Sequence, residues 1–428
     1  MFTKQTVRDI DLSDKTVLLR TDYNLPIKNG KITDDYRLQQ SLPTIDYLLK
    51  RNVKLIICSH LGRPTGPHDT ANSLFPVAKR LKQLLDRDVI FAIDCIGPRV
   101  QKTASQLRSG QILLLENLRF HKQEEANDDH FASQLAELAD LFVQDGFGVV
   151  HRAHASTDAI TRHLPSVAGL LLEKEVDTIT SVMENPKRPL MAIIGGAKIA
   201  DKIDVLYRFI EIADFVAIGG AMANTFLKAE AIDVADSLVE SDEIPLAKEI
   251  MKKARAKAKE QHFIFAIPRD GVVASTIDKA TPTRIVDWSA HVIADIENYP
   301  HQPPLRASRI DDHEMILDIG PFSGSFIAGG MQLANTVIWN GTMGVTETNG
   351  LQGPIGPYAH GTELVIDAML GQFGHRPFTL VGGGDTVGYI ENRKLIKAFD
   401  HVSTGGGASL ELMAGRKLPG VEALIDKD

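Results

Sequence analysis

Charged and polar side chains follow the apolar runs of the N-terminal half, and together they could bind an anionic ligand. The carboxyl ends of parallel strands meet at one edge of a sheet, so side chains that follow such strands converge there. Arginine forks match carboxylate and phosphate oxygens, so this edge would suit a small substrate with several negative charges. The residues in this set are Asp22, Asn24, Arg37, His60, Arg63, Arg119 and Arg152.

Each of these residues also has an ordinary structural interpretation. A single loop arginine is usually a solvated surface charge, so the four arginines carry weight only as a set. His60, His151 and His154 could be hydrogen-bonding partners within the fold. A zinc site built on His151 and His154 is disfavoured, because no further ligands stand out at a typical spacing.

A paired glycine turn in the C-terminal half could bind phosphate. The apolar run Leu190–Ile194 is followed by the letters GGAKIADK and then by a helical pattern. A strand, a glycine turn and a helix present backbone N–H groups to phosphate. Lys198 and Lys202 are four residues apart, which predicts that both project from one helix face. The alternative is a tight turn followed by a solvated lysine face, and neither GxxxxGK[ST] nor GxGxxG occurs here.

The same layout recurs at Gly382–Thr386 and at Ser403–Ser409, each with three consecutive glycines. Triple glycines cost folding entropy, which suggests that the backbone approaches a ligand closely. Asp385 is a plausible Mg²⁺ ligand, because Mg²⁺ sites combine one or two carboxylates with nucleotide phosphates; the alternative is a helix N-cap. A further turn is expected at Trp339–Gly344, and Glu347 just beyond it could bind a ribose hydroxyl or lie exposed on the surface.

These residues must be positioned by alternating strands and helices. Apolar runs without hydrophobic–polar alternation predict strands covered on both faces of a parallel sheet. We expect the N-terminal strands Thr16–Leu19, Val53–Cys58, Val89–Ile93, Ile112–Leu115 and Leu141–Val143. We expect the C-terminal strands Leu190–Ile194, Phe215–Ile218, Phe263–Ile267, Met315–Leu317, Thr336–Trp339 and Phe378–Val381. The predicted helices are Phe75–Leu85, Asp129–Leu138, Ile199–Ile212 and Ile244–Lys259.

Bulk composition sets the outer limits. A chain of 428 residues exceeds what one core usually serves, so two domains are expected. The net charge of −8 argues against a general nucleic-acid or membrane-surface binder. Cys58 and Cys95 lie in apolar runs and are expected to be buried and reduced, without the spacing or partners of a disulfide, metal site or nucleophile. We expect no signal peptide and no membrane span, and therefore a cytoplasmic protein.

The sequence resembles the phosphoglycerate kinases. The resemblance runs from about residue 4 to residue 424, and its specificity lies in the order of many motifs rather than in any one of them. The motifs are LLRTDYNLP, ITDDYR, SHLGRP, LLLENLRF, FGVVHRAHAS, GGAKIADK, GGAMANTFL, WNGTMGV, LVGGGDT, STGGGASLE and LPGVEAL.

The resemblance implies two Rossmann-like lobes, each a parallel sheet with helices on both faces, joined by a hinge helix. It implies an N-terminal lobe at 1–168 for 3-phosphoglycerate or 1,3-bisphosphoglycerate, and a connecting helix at 169–188. It also implies a C-terminal lobe at 189–402 for Mg-ADP or Mg-ATP, and a segment at 403–428 that returns to the N-terminal lobe. A monomer that acts on small molecules, without nucleic acid or membrane, is expected.

Residue by residue, the resemblance maps the substrate positions onto the N-terminal set given above. The nucleotide positions are Gly196, Lys198, Lys202, Asn340, Glu347, Gly383, Gly384, Asp385 and Thr386, with Mg²⁺ at Asp385. The catalytic positions are Arg37, Lys202, Gly383 and Gly406. The expected reaction is reversible, direct in-line phosphoryl transfer from 1,3-bisphospho-D-glycerate to ADP after domain closure.

Some positions depart from the family pattern. Thr342 and Thr346 stand where the family usually has proline and phenylalanine, and Phe322 stands where a polar residue is more usual.

Two other functions would require different residues. A dinucleotide-dependent dehydrogenase would need GxGxxG after the first strand, where this chain has RTDYNLP. An inactive scaffold protein would be expected to lack Arg37, Lys202 or Asp385, and all three are present.

Overall fold

A computed structural model describes residues 2–66, 69–288, 309–351 and 353–427. The chain divides into two compact units. Unit 1 comprises Met1–Ser181 and Thr404–Asp428, and unit 2 comprises Val182–Ser403. The chain passes from the first unit into the second within one helix, Leu170–Glu184.

Unit 1 is built on six parallel strands with helices between them. In chain order its elements are β1 Thr16–Arg20, β2 Ile27–Lys28, β3 Lys31–Ile32, α1 Tyr36–Leu49, β4 Lys54–Cys58, α2 Phe75–Leu85, β5 Val89–Phe91, α3 Pro98–Ser105, β6 Ile112–Leu114, α4 Asp129–Ala136, β7 Leu141–Gln144, β8 Ser166–Ala168 and α5 Leu170–Glu184. The strand order is β5-β6-β4-β1-β7-β8.

The sheet of unit 1 is covered on both faces, which explains the unbroken apolar runs of its strands. Leu19 and Ile57 belong to the core on one face, while their neighbours Leu18 and Ile56 belong to the core on the other. In the sheet, β4 pairs with one side of β1, and β7, which comes later in the chain, pairs with the other side. The loops after β1 and its neighbours therefore flank the point where the strand order reverses, the usual place for a ligand.

Unit 2 repeats this construction. Its elements are β9 Leu190–Ile194, α6 Ile203–Ile212, β10 Phe215–Ile218, α7 Met222–Ala229, α8 Ile244–Glu260, β11 Ile264–Ala266, β12 Asp270–Ala274, β13 Arg284–Asp287, β14 Met315–Ile319, α9 Pro321–Met331, β15 Thr336–Asn340, α10 His360–Met369, β16 Phe378–Gly382, α11 Gly384–Asn392 and β17 His401–Val402. The parallel sheet has the order β11-β10-β9-β15-β16-β17, so its strand order reverses between β9 and β15.

The predicted fold class, two α/β lobes with parallel sheets, is confirmed, with one addition. The predicted strand at Met315–Leu317 does form, as β14, but it does not join the parallel sheet. It pairs antiparallel with β12 in a separate three-stranded sheet of order β13-β12-β14. An apolar run predicts burial on a strand but not which strand will be its partner.

The last part of the chain belongs to unit 1, where it forms α12 Gly406–Met413 and α13 Pro419–Glu422. Beyond α13, the N–H of Ile425 donates to the carbonyl of Ser166 at 3.0 Å. The N–H of Gln5 donates to the carbonyl of Ile425 at 2.8 Å. Residues from both ends of the chain therefore lie beside β8, the last strand of this sheet.

Both cysteines are buried and free, as predicted. Burial raises the pKa of the Cys58 thiol to about 12 and that of the Cys95 thiol well above its usual value. In the described part of the chain, no helix combines the length and the apolar character that crossing a membrane requires.

Candidate functional site

Unit 1 gathers most of the predicted anion-binding residues at the carboxyl edge of its sheet. Asp22 and Asn24 follow β1, His60 follows β4, and Arg119 lies in a short 3₁₀ helix, Leu118–Phe120, after β6. Arg152 lies in the segment that follows β7. Their positions agree with the expectation that the ends of parallel strands bring such residues to one edge.

Arg37 reaches this edge from the first turn of α1. Its Nη1 donates to the carbonyl oxygen of Asn24 at 3.0 Å and lies 3.2 Å from Oδ2 of Asp22. The Asn24 side chain in turn accepts the N–H of Gly62 at 2.9 Å. Nη1 of Arg119 donates to the carbonyl of the same Gly62 at 2.8 Å. Arg37, Asn24 and Arg119 are thus connected through backbone groups at the strand ends.

Arg20 is a central member of this edge that the sequence reasoning did not select. It is 1% exposed, and its Nε donates to Oγ of Ser156 at 2.8 Å. Its Nη2 lies 3.7 Å from Oε1 of the buried Glu124 and 3.3 Å from Nδ1 of His60. The available signal was a cation at the end of an otherwise apolar strand, because a buried charge needs a partner or a function.

The edge has a strongly positive electrostatic environment. Burial, together with the charges of Arg20, Arg119 and Arg37, holds the pKa of His60 well below its usual value. Burial and neighbouring arginines also lower the pKa of His154 to about 4. Both imidazoles are therefore neutral at pH 7 and add no positive charge to the edge.

Two exposed arginines extend this charge outward. Within the described residues, the side chains of Arg63 and Arg152 make no hydrogen bond and no ion pair. Nδ1 of the neighbouring His151 is buried without a hydrogen-bond partner in the same part of the chain. Arg63 and Arg152 are thus unneutralised cations next to a set of buried ones, an arrangement suited to an anionic ligand.

In unit 2, Lys202 occupies the place where the strand order reverses. Its ammonium donates to the carbonyl of Gly195 after β9 at 2.6 Å and to Oδ1 of Asn340, the last residue of β15, at 2.9 Å. The side chain is 9% exposed. Burial lowers the pKa of Lys202 to about 8, although the carboxylates of Asp385 and Asp201 favour the charged form.

The prediction that Lys198 and Lys202 share a helix face is wrong. Lys198 lies in the turn before the helical segment, and its side chain is exposed. Lys202 is the N-cap of α6, after a 3₁₀ turn at Ala200–Lys202, and it is buried. The four-residue spacing would align the two side chains only within a continuous α-helix.

Glycine is required at two turns around Lys202. Gly341 has a φ of +95°, and a Cβ there would lie 2.2 Å from the carbonyl oxygen of Gly195 and 2.7 Å from Nζ of Lys202. Gly383 has a φ of +92°, and a Cβ there would approach Oδ1 of Asn340 to 3.1 Å. Residues other than glycine rarely adopt these φ values, which explains why both positions are glycine.

A cavity of about 240 Å³ opens beside these turns. Its wall is mainly apolar, and the carboxylates of Glu347 and Asp385 lie on its lining. Asn224 adds a polar group: its Nδ2 donates to the carbonyl of Leu238 at 3.2 Å, while its buried Oδ1 has no partner within the described residues. Other lining residues include Ala221, Leu227, Leu238, Leu317, Met343 and Val345.

The N-terminus of α11 faces the same region. Gly383 is the N-cap, Gly384 begins the helix, and a Cβ at Gly384 would meet only open space. Thr386 is buried, and its hydroxyl accepts the N–H of Gly341 at 2.8 Å, which ties α11 to the turn after β15. Asp385 is not the N-cap, so its carboxylate remains exposed in the first turn.

The donor set fits Mg²⁺. In the part of the chain that the structure describes, the carboxylate of Asp385 makes no hydrogen bond and no ion pair. A carboxylate oxygen beside backbone N–H groups that could hold phosphates is the environment that Mg²⁺ uses with nucleotides.

Gly406 belongs to unit 1, whereas the glycine turns described above belong to unit 2. It begins α12, and a Cβ on the following Gly407 would lie 3.2 Å from Nε2 of His151. The helix that Gly406 begins thus lies against His151, the neighbour of Arg152 in sequence. Its predicted catalytic role stays a prediction.

Known proteins resemble this chain along its whole length. The family description Phosphoglycerate kinase matches residues 7–416. Proteins named phosphoglycerate kinase from Moorella thermoacetica and Koribacter versatilis are 44% and 43% identical, and each alignment covers 99% of this chain and 100% of the relative.

Solved structures agree with these sequence relatives. Phosphoglycerate kinase from Coxiella burnetii superposes with a TM-score of 0.79 at 32% identity, covering 98% of both chains. The enzyme from Pyrococcus horikoshii superposes with a TM-score of 0.80 at 28% identity, covering 99% of this chain and 98% of that one. With its two α/β units and its full-length relatives, the chain belongs to the phosphoglycerate kinase family.

Proposed function

We propose that unit 1 of this kinase holds the phosphorylated glycerate and that unit 2 holds the nucleotide. The chain is a glycolytic phosphotransferase that catalyses reversible transfer of a phosphoryl group from 1,3-bisphospho-D-glycerate to ADP, giving 3-phospho-D-glycerate and ATP. The observation that carries the assignment of sites is the arginine-rich edge of unit 1 with its unpaired Arg63 and Arg152. A glycerate phosphate supplies the carboxylate and phosphate oxygens that these guanidinium groups bind.

The transfer is direct and in line. A β-phosphate oxygen of ADP attacks the acyl-phosphate phosphorus, and the P–O bond to the carboxyl group breaks. The carboxylate of 3-phosphoglycerate leaves with the electron pair. Both the attacking phosphate oxygen and the leaving carboxylate are ionised at neutral pH, so no general base is needed. The work of the protein is positioning and charge stabilisation.

Arg37 is our candidate for the group that bridges the reacting carboxyl and the moving phosphoryl group. It is only partly buried, and its contacts to Asp22 and Asn24 hold it at the sheet edge. A guanidinium in this position would gain interaction energy as negative charge spreads over the phosphoryl oxygens. Asp22, Asn24, His60, Arg63, Arg119 and Arg152 then bind the rest of the substrate.

The cavity of unit 2 is our candidate for the nucleotide site. Its apolar wall would hold the base, and the unpaired Oδ1 of Asn224 offers an acceptor for an amino group of the base. Glu347 would bind the ribose hydroxyls. Gly196, Lys198, Asn340, Gly384 and Thr386 would surround the phosphates, with N–H groups of the α11 N-terminus directed at them.

Lys202, two backbone N–H groups and Mg²⁺ would offset negative charge around the transferred phosphoryl group. Lys202 contacts Gly195 in the glycine turn after β9, and it would hold the group from the nucleotide side. The N–H groups at Gly383 and Gly406 would offset negative charge. Mg²⁺, held by Asp385, would supply further charge neutralisation on the nucleotide phosphates when bound.

The cellular setting is also part of the proposal. A kinase that acts on glycolytic intermediates is expected in the cytoplasm. We propose that it acts as a monomer, because each site is complete within the residues of one chain. We further propose that neither nucleic acid nor membrane takes part, which agrees with the net charge of −8.

The direct test is a coupled assay of ATP formation from 1,3-bisphosphoglycerate and ADP, combined with the substitution Arg37→Ala. A contact made mainly in the transition state predicts a fall in kcat of at least about 100-fold, with a much smaller change in the affinity for 3-phosphoglycerate.

Arg108→Ala is the matched control, because Arg108 is an exposed arginine of unit 1 that lies outside the proposed site. It should leave kcat unchanged. An Arg37→Ala enzyme with wild-type kcat would remove Arg37 from the mechanism, and absence of ATP formation by the wild-type chain would contradict the whole proposal.

A further inference from the structure

Three potential metal ligands that are not among the predicted substrate residues meet in unit 1. Asp94 and Cys95 lie in the turn between β5 and α3, and His121 follows the 3₁₀ helix Leu118–Phe120. One ligand atom from each residue lies within 4.8 Å of the other two. Among the described residues, this is the only group of three or more His, Cys, Asp or Glu side chains with that property.

The cluster is preorganised by the surrounding fold. Nε2 of His121 donates to Oδ1 of Asp94 at 2.7 Å, and its ring packs 5.3 Å from the ring of Phe131. The side chain of Asp94 is 48% exposed and that of His121 is 23% exposed, whereas Cys95 is fully buried. The thiol therefore lies at the inner end of a site whose outer two ligands reach solvent, which provides an entry path for an ion.

The charges around the sulfur favour a cation. The charged groups that act most strongly on Cys95 are the carboxyl groups of Asp94 and Glu124. Glu124 forms an ion pair with Arg20. The guanidinium of Arg20 also contacts Ser156 and His60, so it is shared among three partners. A buried sulfur next to carboxylates gains from a positive ion placed between them.

We propose that Asp94, Cys95 and His121 bind one Zn²⁺ ion, with a fourth position open to water. A thiolate, an imidazole and a carboxylate form a mixed ligand set that suits a borderline-soft ion and disfavours Mg²⁺ and Ca²⁺. Zinc bonds of roughly 2.0–2.3 Å place tetrahedral ligand atoms about 3–4 Å apart, so the side chains need only small shifts.

Binding changes the protonation of two ligands. The Cys95 thiol loses its proton to solvent as the Zn–S bond forms. His121 coordinates through Nε2, so the proton that now bonds to Asp94 is carried on Nδ1 instead. One proton per Zn²⁺ is therefore released to the buffer, and release should be detectable as a buffer-dependent heat of binding.

The ion would join two segments that are far apart in sequence. The turn after β5 would be connected to the segment that directly follows Arg119. Because the unfolded chain offers no such preformed site, binding would stabilise the folded state. Zn²⁺ at a hundredfold excess over its Kd should raise the Tm of the unit 1 transition by about 5 °C.

The test uses the full chain after dialysis against a chelator. Calorimetry should give one equivalent of bound Zn²⁺. Co²⁺ should give the visible spectrum of a tetrahedral ion together with a thiolate-to-metal charge-transfer band. Cys95→Ser should abolish that band, and both Cys95→Ser and His121→Asn should weaken Zn²⁺ binding at least about tenfold. Cys58→Ser is the matched control, since Cys58 is also a free buried cysteine, and it should bind Zn²⁺ like the wild type.

Several results would overturn the proposal. These are a wild-type chain that binds no Zn²⁺, a Co²⁺ complex without a thiolate band, and loss of binding in Cys58→Ser. Unchanged binding in His121→Asn would do the same. His121→Asn retains the buried thiol, so it keeps the test decisive even if Cys95→Ser folds poorly.

Discussion

Lys202 shows how one residue can serve both the fold and the chemistry. Its ammonium closes the gap between the ends of β9 and β15 by donating to Gly195 and Asn340. Without a bound anion, burial of this charge is only partly offset, and the lowered pKa is the result. A bound phosphate would restore a full counter-charge.

This pKa leads to a prediction for the free enzyme. With a pKa of about 8, Lys202 loses its charge as the pH rises through that value, so kcat/KM for ADP should fall above pH 8. In the complex the phosphates stabilise the ammonium, so the corresponding fall in kcat should occur at higher pH. Initial rates at several ADP concentrations between pH 6.5 and 9.5 measure both profiles.

Lys202→Arg provides the comparison, because arginine stays protonated throughout this range. If the alkaline fall in kcat/KM depends on Lys202, it should be absent in the arginine enzyme, whatever its absolute rate. An identical fall in both enzymes would assign the titration to another group.

At the residue scale, the sequence identified the types of charged residue better than their orientation. Arg37, His60 and Arg119 could be assigned to a sheet edge because each is adjacent to a strand or helix start. Arg20 could not, since nothing local shows that Glu124 and Ser156, more than 100 residues away, supply its partners. The contrast between buried Lys202 and exposed Lys198 depends on where a helix begins, which spacing alone does not fix.

At the scale of single elements, α9 contains two adjacent glycines in opposite environments. A Cβ at Gly329 would meet nothing within 4 Å, while a Cβ at Gly330 would lie 2.3 Å from the ring of Phe215. Gly329→Ala should stabilise the protein by about 0.5–1 kcal/mol, because alanine favours the helix. Gly330→Ala should destabilise it by about 1–3 kcal/mol through overpacking.

Urea unfolding of the two alanine variants measures these changes in the free energy of unfolding. Each variant is the control for the other, since the positions share a helix and the substitution is the same. Equal effects of the same sign would show that helix propensity, and not the contact with Phe215, decides the outcome.

The buried carboxylate of Asp145 provides a prediction for α5. Its Oδ1 accepts the N–H groups of Leu171 at 2.9 Å and Leu172 at 3.2 Å in the first turn of that helix. Burial nevertheless raises the pKa of Asp145 to about 7. A folded-state pKa above the unfolded value means that stability is lost as the pH rises from about 4 through 7.

Asp145→Asn keeps an acceptor for α5 but removes the charge. We compare the free energy of unfolding of the variant with that of the wild type at each pH. The variant minus wild-type difference should be roughly 3 kcal/mol larger at pH 8 than at pH 5. Urea titrations at the two pH values measure it. A difference between variant and wild type that does not change with pH would show that Asp145 does not titrate in this range.

The alternation of apolar runs and helical patterns was sufficient to predict both parallel sheets. It did not predict β8 or the antiparallel sheet of β12, β13 and β14. β8 has only three residues, too few for a period to show, and its pairing with β7 is a tertiary contact. The position of β14 outside the parallel sheet depends on its partner β12, which a local pattern does not contain.

For the whole molecule, the mechanism requires groups carried by two units to react with one another. We therefore expect ligands to bring the units together, which would exclude water from the phosphoryl group. The radius of gyration measured by X-ray scattering should decrease when both 3-phosphoglycerate and nucleotide are present. Each ligand alone is the control and should produce a smaller change, while an unchanged radius with both would contradict closure.

The hydrogen bonds of Ile425 beside β8 also have a consequence for biosynthesis. Unit 2 is continuous in sequence, so all of its residues have been translated once Ser403 has been added. Translation starts with unit 1, but residues 404–427 of this unit are added last. Until then, the carbonyl of Ser166 lacks its hydrogen-bond donor, the N–H of Ile425. An uncovered strand edge can pair with another chain. The carbonyl of Ser166 therefore stays open to such pairing until translation has passed Ile425, after unit 2 is complete.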